Sequence, residues 1–197
     1  MSAFRLITAV VVGATVLVAA PASADSKVRS DARHDVRYVS RDDQGDFGGR
    51  STAIPSRRLG DITSLRVTHG PRKITATLKF RALRKEGSHT HWFQLRTPRR
   101  TVDVFLQADR ESWKGSRLIY ELGDEDNEFS CRFSHRIDYR ADTVTVVVPR
   151  TCLLRPAFVR VGAETMIESG GHRFYDKAPQ RGGPYNAGPP RGPRVHR

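Results

Sequence analysis

The chain reads as an all-β protein: an antiparallel β-sandwich, jelly-roll or immunoglobulin-like, of about nine strands with one disulfide. Three observations predict this. Between residues 61 and 166, Val, Ile, Thr, Phe and Leu alternate with polar residues at period two, punctuated by turn residues. Three segments fold back into hairpins whose facing positions are apolar together. No stretch shows a convincing amphipathic helical period, which leaves sheet-on-sheet packing as the way to bury the apolar faces.

The N-terminus precedes this pattern. Arg5 is followed by an uncharged run over residues 6–20, then Pro21 and the small residues Ala22, Ser23 and Ala24. This is the plan of a secretory signal peptide over residues 1–24, cleaved before Asp25. The run is too short for a comfortable membrane span of about 20 residues. Removing 24 of the 197 residues leaves 173, one domain with tails. The formal charge is +13, or +12 once Arg5 leaves with the leader. So basic a chain outside the cytoplasm favours anionic or glycan cell-envelope polymers over a specific nucleic acid. The plainer reading of the charge is solubility.

Residues 25–60 are polar and Gly-rich, with a possible edge strand over residues 35–39 and a long loop over residues 41–58. The sandwich domain is expected over residues 61–177. Its first hairpin turns near Gly70-Pro71 and pairs Val67 with Ile74, Leu65 with Ala76 and Thr63 with Leu78. The second turns at Thr97-Pro98-Arg99-Arg100, with Pro at a favoured turn position. It sets Leu95 against Val102, Phe93 against Val104 and His91 against Leu106. A strand follows at residues 117–122. The third hairpin turns at Arg140-Ala141-Asp142-Thr143 and pairs Tyr139 with Val144, Ile137 with Val146 and His135 with Val148. Carried outward, that register sets Cys131 opposite Cys152, on a rung where Cα atoms lie ~4.5 Å apart. Two cysteines in an oxidising compartment are expected to pair. A last strand spans residues 157–165. From residue 178 onward Pro, Gly and Arg dominate, and the tail lacks the apolar content to fold, so residues 178–197 are expected to be disordered. Its arginines and Tyr185 could bind anions, and a solvated extension is the plainer reading.

The face of the second hairpin opposite the core carries the most suggestive constellation. Trp92 faces Phe105, Gln94 faces Asp103 and Arg96 faces Thr101. A sugar stacks its apolar face on an aromatic ring while its hydroxyls take paired donors and acceptors. The competing reading covers Trp92 and Phe105 with a loop or the second sheet. Trp113, in the connection over residues 109–116, is a second candidate stacking residue, or else a loop anchor.

Metal and catalytic chemistry have little to stand on. The acidic loop over residues 123–128 crowds oxygen ligands that could hold Ca²⁺, but the ordered EF-hand spacing is missing and a charged hairpin tip is expected. Residues 42–46 read the same way. His89 and His91 share a strand face without a third ligand nearby in sequence, so they and His135 are expected as core histidines and no metal site or cofactor is assigned. No G-x-S-x-G elbow or H-E-x-x-H helix is present, which removes the common hydrolase signatures.

Several short motifs carry a resemblance: Asp35-Val36, Gly60-Asp61-Ile62, Arg81-Ala82-Leu83, and Pro149-Arg150-Thr151-Cys152-Leu153. Over residues 35–165 the chain resembles the uncharacterised secreted β-sandwich proteins common in actinobacteria. That resemblance implies the fold and brings no activity or site. More distantly the layout is similar to carbohydrate- or haem-binding sandwich modules. Three readings follow: a non-catalytic binding module for a carbohydrate or anionic envelope ligand, an interaction protein docking acidic partners through its basic surface and tail, and a hydrolase with an unrecognised site.

Overall fold

The computed structural model describes residues 24–41, 47–123, 129–179 and 187–197. The predicted leader up to Ser23, both acidic loops (residues 42–46 and 124–128) and Tyr185 lie outside the described residues. Two antiparallel sheets pack face to face. The first holds β1 (Asp25–Ser30), β4 (Ile62–His69), β5 (Lys73–Phe80), β9 (Ser134–Asp138) and β10 (Thr143–Pro149), in the order β1-β4-β5-β10-β9. The second holds β2 (Arg37–Arg41), β3 (Phe47–Ala53), β6 (Ser88–Arg96), β7 (Thr101–Ala108), β8 (Ser116–Glu121), β11 (Phe158–Ser169) and β12 (His172–Ala178), in the order β3-β2-β12-β11-β6-β7-β8. A short β13 (Arg194–His196) also pairs with β11. Among the described residues no helix is long and apolar enough to cross a membrane.

The sandwich follows from the alternation. Leu65, Val67, Ile74, Ala76, Leu78, Val144, Val146 and Val148 of the first sheet meet Phe93, Leu95, Val102, Val104, Leu106, Val161 and Ala163 of the second, each at most 5% exposed. Period two sends every second side chain inward, so the intervening residues face outward or to the sheet edges.

Among the described residues, thirteen strands replace the expected nine. The four additions, β1, β3, β12 and β13, have no clean apolar alternation. β1 is a polar edge strand held on β4 by its backbone ladder. The segment expected as an edge strand is interior: β2 lies between β12 and β3, and β3 falls inside the expected long loop. Its sequence, FGGRSTA, has no hydrophobic period to read. The tail is the largest correction. Residues 187–197, expected to be disordered, lie on the second sheet, with Val195 1% exposed. Gly162 and Gly192 let the two backbones approach where any side chain would intrude.

The second hairpin has the expected register throughout. The other two are slipped by two residues, which keeps the faces but changes the partners. Val67 pairs with Ala76 and Leu65 with Leu78, because Gly70 and Lys73 close the turn and leave Pro71 at its favoured second position. In the third hairpin Val144 pairs with Ile137 and Val146 with His135. A two-residue I′ turn would need positive φ at Ala141 and Asp142, and only Asp142 has it, at 49°. The Asp138 carboxylate instead accepts the N–H groups of Arg140 and Ala141 and closes a longer loop. The disulfide forms as expected, with Cα atoms 5.7 Å apart, but not on a ladder rung. Cys131 precedes β9, and Cys152 lies in a 3-10 turn, Arg150–Leu153, beyond β10.

Candidate functional site

The outer face of the second sheet gathers the predicted residues. With Phe93, Leu95, Val102 and Val104 turned into the core, Trp92, Gln94 and Arg96 of β6 and Thr101, Asp103 and Phe105 of β7 must point outward. The observed pairs are those expected: Trp92 with Phe105, Gln94 with Asp103, Arg96 with Thr101. β8 continues the face, setting Leu118 opposite Phe105 and Tyr120 opposite Asp103.

The rings form one stack. Trp92 and Phe105 lie 5.1 Å apart between centroids at 22°, and Phe105 and Tyr120 lie 5.5 Å apart at 11°. Trp92 and Phe105 are half-buried, whereas Tyr120 is 37% exposed, flanked by Leu118 at 59% and Leu122 at 56%. Gln94 and Asp103 lie at the foot of the rings, 5% and 1% exposed. Burial raises the Asp103 carboxyl pKa, and the Gln94 and Trp92 side chains and the Arg96 charge pull it back. Burial, with the Asp103 charge behind it, also raises the Tyr120 phenol.

The tail covers one end of this stack. A Cβ on Gly188 would stand 2.9 Å from the Trp92 ring. Lys177 donates from Nζ to the Gly188 carbonyl at 3.0 Å, and Arg96 donates to the Pro189 carbonyl at 3.1 Å. Lys177 also pairs with Glu164 at 3.1 Å, with both side chains at most 9% exposed. The accessible part of the site is therefore its β8 end. Sequence reasoning missed Leu118, Tyr120 and Leu122. Their alternation was visible, but apolar alternation says inward. At this sheet edge Arg117, Ile119 and Glu121 take the inner side instead, with Glu121 accepting from Arg100 at 2.9 Å.

The other candidates lie elsewhere. Trp113 is no exposed platform: its ring meets His89 at 5.7 Å and Tyr139 at 5.8 Å, both edge-on, which makes it a loop anchor. His89 and His91 are fully buried. His91 Nδ1 lies 3.0 Å from the Thr165 hydroxyl and His89 Nε2 lies 2.9 Å from the Glu86 carbonyl. His135 Nε2 reaches the Lys114 carbonyl at 2.9 Å. Burial depresses the His91 pKa to about 3.

An acidic group no sequence pattern announced sits where β1 and β2 connect beside β12. One carboxylate oxygen each of Asp31, Asp35 and Asp176 lies within 4.8 Å of the others, so these residues could hold a cation. Burial and mutual repulsion push the Asp31 carboxyl up to about 8 and that of Asp176 up to about 9. Asp176 also accepts the Ile62 N–H at 2.7 Å, and neighbouring Asp61 is neutralised by Arg81 at 2.7 Å. Asp31 and Asp35 stand four residues apart, whereas Asp176 is distant in sequence, and the β12–β2 pairing brings it to them.

No protein-family model matches the chain, and neither a curated protein nor a solved structure is significantly similar to it.

Proposed function

We propose that the protein is an exported, non-catalytic binding module whose outer sheet face takes a carbohydrate. The observation that carries this reading is the stack of Trp92, Phe105 and Tyr120, half-buried under the tail and open at Tyr120, with the amide of Gln94 and the carboxylate of Asp103 at its foot. An apolar ring face beside a few fixed polar groups suits a pyranose, which is itself apolar on its faces and polar at its rim. Export is supported by the disulfide and by the predicted leader. A hydrolytic role finds less support. Among the described residues, a cleft of about 270 Å³ beside this face and another of about 370 Å³ at the end of the sandwich have no histidine and no carboxylate in their linings.

The test is retention on insoluble polysaccharides and on a glycan array. Tyr120→Ala and Phe105→Ala should each weaken binding about tenfold, or ~1.4 kcal/mol. Trp113→Ala, remote from the face, should leave affinity unchanged in whatever fraction folds. Undiminished binding by both platform variants counts against the site.

A further inference from the structure

Next to the aromatic stack the same sheet face carries arginines in an arrangement that costs stability unless something neutralises it. Arg194 of β13 lies directly across from Arg160 of β11, and Arg160 directly across from Arg96 of β6. Like charges on facing positions of neighbouring strands repel. Arg191, from the docked tail, adds a fourth cation near the row. Among the described residues none of these four arginines is in a salt bridge, although seven other Arg or Lys side chains are. Arg96 keeps a buried Nη1 with no hydrogen-bond partner. Arg96, Arg160 and Arg191 line a cleft of about 270 Å³ with Thr97, Thr101 and Phe158.

We propose that this cleft binds an oxyanion carried by the glycan, so that the module's ligand is an acidic polysaccharide. The proposal rests on the carbohydrate reading of the neighbouring face and names the ligand class. A guanidinium presents planar, paired donors that match a carboxylate, sulfate or phosphate edge. Here the exposed Arg191 and the Arg96 and Arg160 guanidinium groups that line the cleft supply them, with Thr101 across the ladder from Arg96. Arg160 and Arg96 each spend one nitrogen on the tail, donating to the carbonyls of Gly192 at 3.0 Å and Pro189 at 3.1 Å. The docked tail thereby holds the row in place and contributes Arg191 to the cleft. Burial lowers the Arg96 pKa and the nearby Arg191 charge lowers it further, the electrostatic cost that a bound anion would remove. Along β6, Arg96 stands four residues from Trp92, about 13 Å of strand. One extended chain can therefore lay a sugar on the rings and an acid group in the cleft.

Titration calorimetry on the chain lacking residues 1–24 tests this with three probes: oligogalacturonate, a sulfated heparin oligosaccharide and a neutral cello-oligosaccharide. Inorganic phosphate, followed by NMR, reports the cleft alone. Arg191→Gln removes an exposed cation and no described intramolecular bond. Arg160→Gln removes the central member of the row, with Trp92 emission reporting whether the tail stays docked. Each should weaken the acidic probes at least tenfold, whereas Arg66→Gln, exposed on the other sheet, should not. The carboxylate and sulfate arms show which acid group the cleft prefers. If acidic probes bind no better than the neutral one, or Arg66→Gln weakens them equally, the inference falls while the platform reading stands. If the arginine variants lose binding but Tyr120→Ala does not, the anion cleft stands and the platform reading falls. If the unmodified protein binds neither phosphate nor an acidic probe, the inference is overturned.

Discussion

The Pro190 carbonyl oxygen lies 1.7 Å from the point where a Cβ on Gly162 would stand. The tail lies so close to β11 that only a glycine fits at this central-strand position, while β13 pairing and the Arg96, Arg160 and Lys177 hydrogen bonds hold the tail down. Gly162→Ala should therefore force the tail off β11 without altering any tail residue. The overpacking costs about 1–3 kcal/mol if the tail stays. Undocking should shift Trp92 emission to the red, since Gly188 would no longer cover the ring. It should also open Arg191 and Arg194 to trypsin. An unchanged digestion rate and emission would show that the docked tail tolerates a side chain at residue 162.

Glu164 and Lys177 test the same region from beneath. The pair is buried, so removing one partner strands a charge where water cannot reach it. Lys177→Met should cost about 3–5 kcal/mol in urea denaturation. Adding Glu164→Met should recover most of that loss, because two apolar side chains need no partners. Equal losses in the single and double variants would argue against a coupled pair.

Stability should fall as pH rises from about 4 towards 9. Asp31 and Asp176 have folded-state pKa values of about 8 and 9, against an ordinary carboxyl value of 3.8. Between these limits the folded chain holds protons that the unfolded chain has released, so stability is fullest below the unfolded value and is lost towards pH 9. His91 works in the opposite sense: its depressed pKa favours folding above 6.5, and that contribution is lost as pH falls towards 3. Two carboxyls outweigh one histidine between 3.8 and 6.5, so the maximum falls at about pH 4, measurable by thermal melts from pH 3 to 9. Asp31→Asn should flatten the alkaline arm. Calcium competes for these oxygens where the protons have left, so any stabilisation by added calcium should appear on that arm.

Loss of the Cys131–Cys152 bond, which joins residues 21 apart, should cost about 3 kcal/mol in the chain-entropy picture. Cys131→Ala/Cys152→Ala compared with the intact protein in urea gives the value directly. The β9–β10 register should persist, because Asp138 sets it and the bridge lies beyond the ladder. Amide exchange protection across Ile137 and Val144 reads that register.

The two-sheet architecture was legible because residues 61–166 carry period-two patterning, a local signal with one steric reading. The Trp92–Phe105 and Gln94–Asp103 pairs were legible for the same reason: a two-residue Pro98-Arg99 turn fixes the hairpin. Where a turn depended on a single dihedral, as at Asp142, or on where a proline prefers to sit, as at Pro71, the register slipped by two. β3 and the tail were not legible, since Gly- and Arg-rich segments join a sheet through backbone hydrogen bonds that composition does not display. Tyr120 was misassigned by omission, because at a sheet edge polarity no longer tells inside from outside.

The sequence by itself determined the sandwich, the cysteine partners and the pairing of Trp92, Gln94 and Arg96 with Phe105, Asp103 and Thr101 on the outer face, because alternation and turn chemistry act between near neighbours. Only the tertiary structure decided how much of that face stays open, which arginines stand in a row, and that Asp31, Asp35 and Asp176 meet. Those relations join residues far apart in the chain, and they exist only once β11 has gathered β6, β12 and the tail around it.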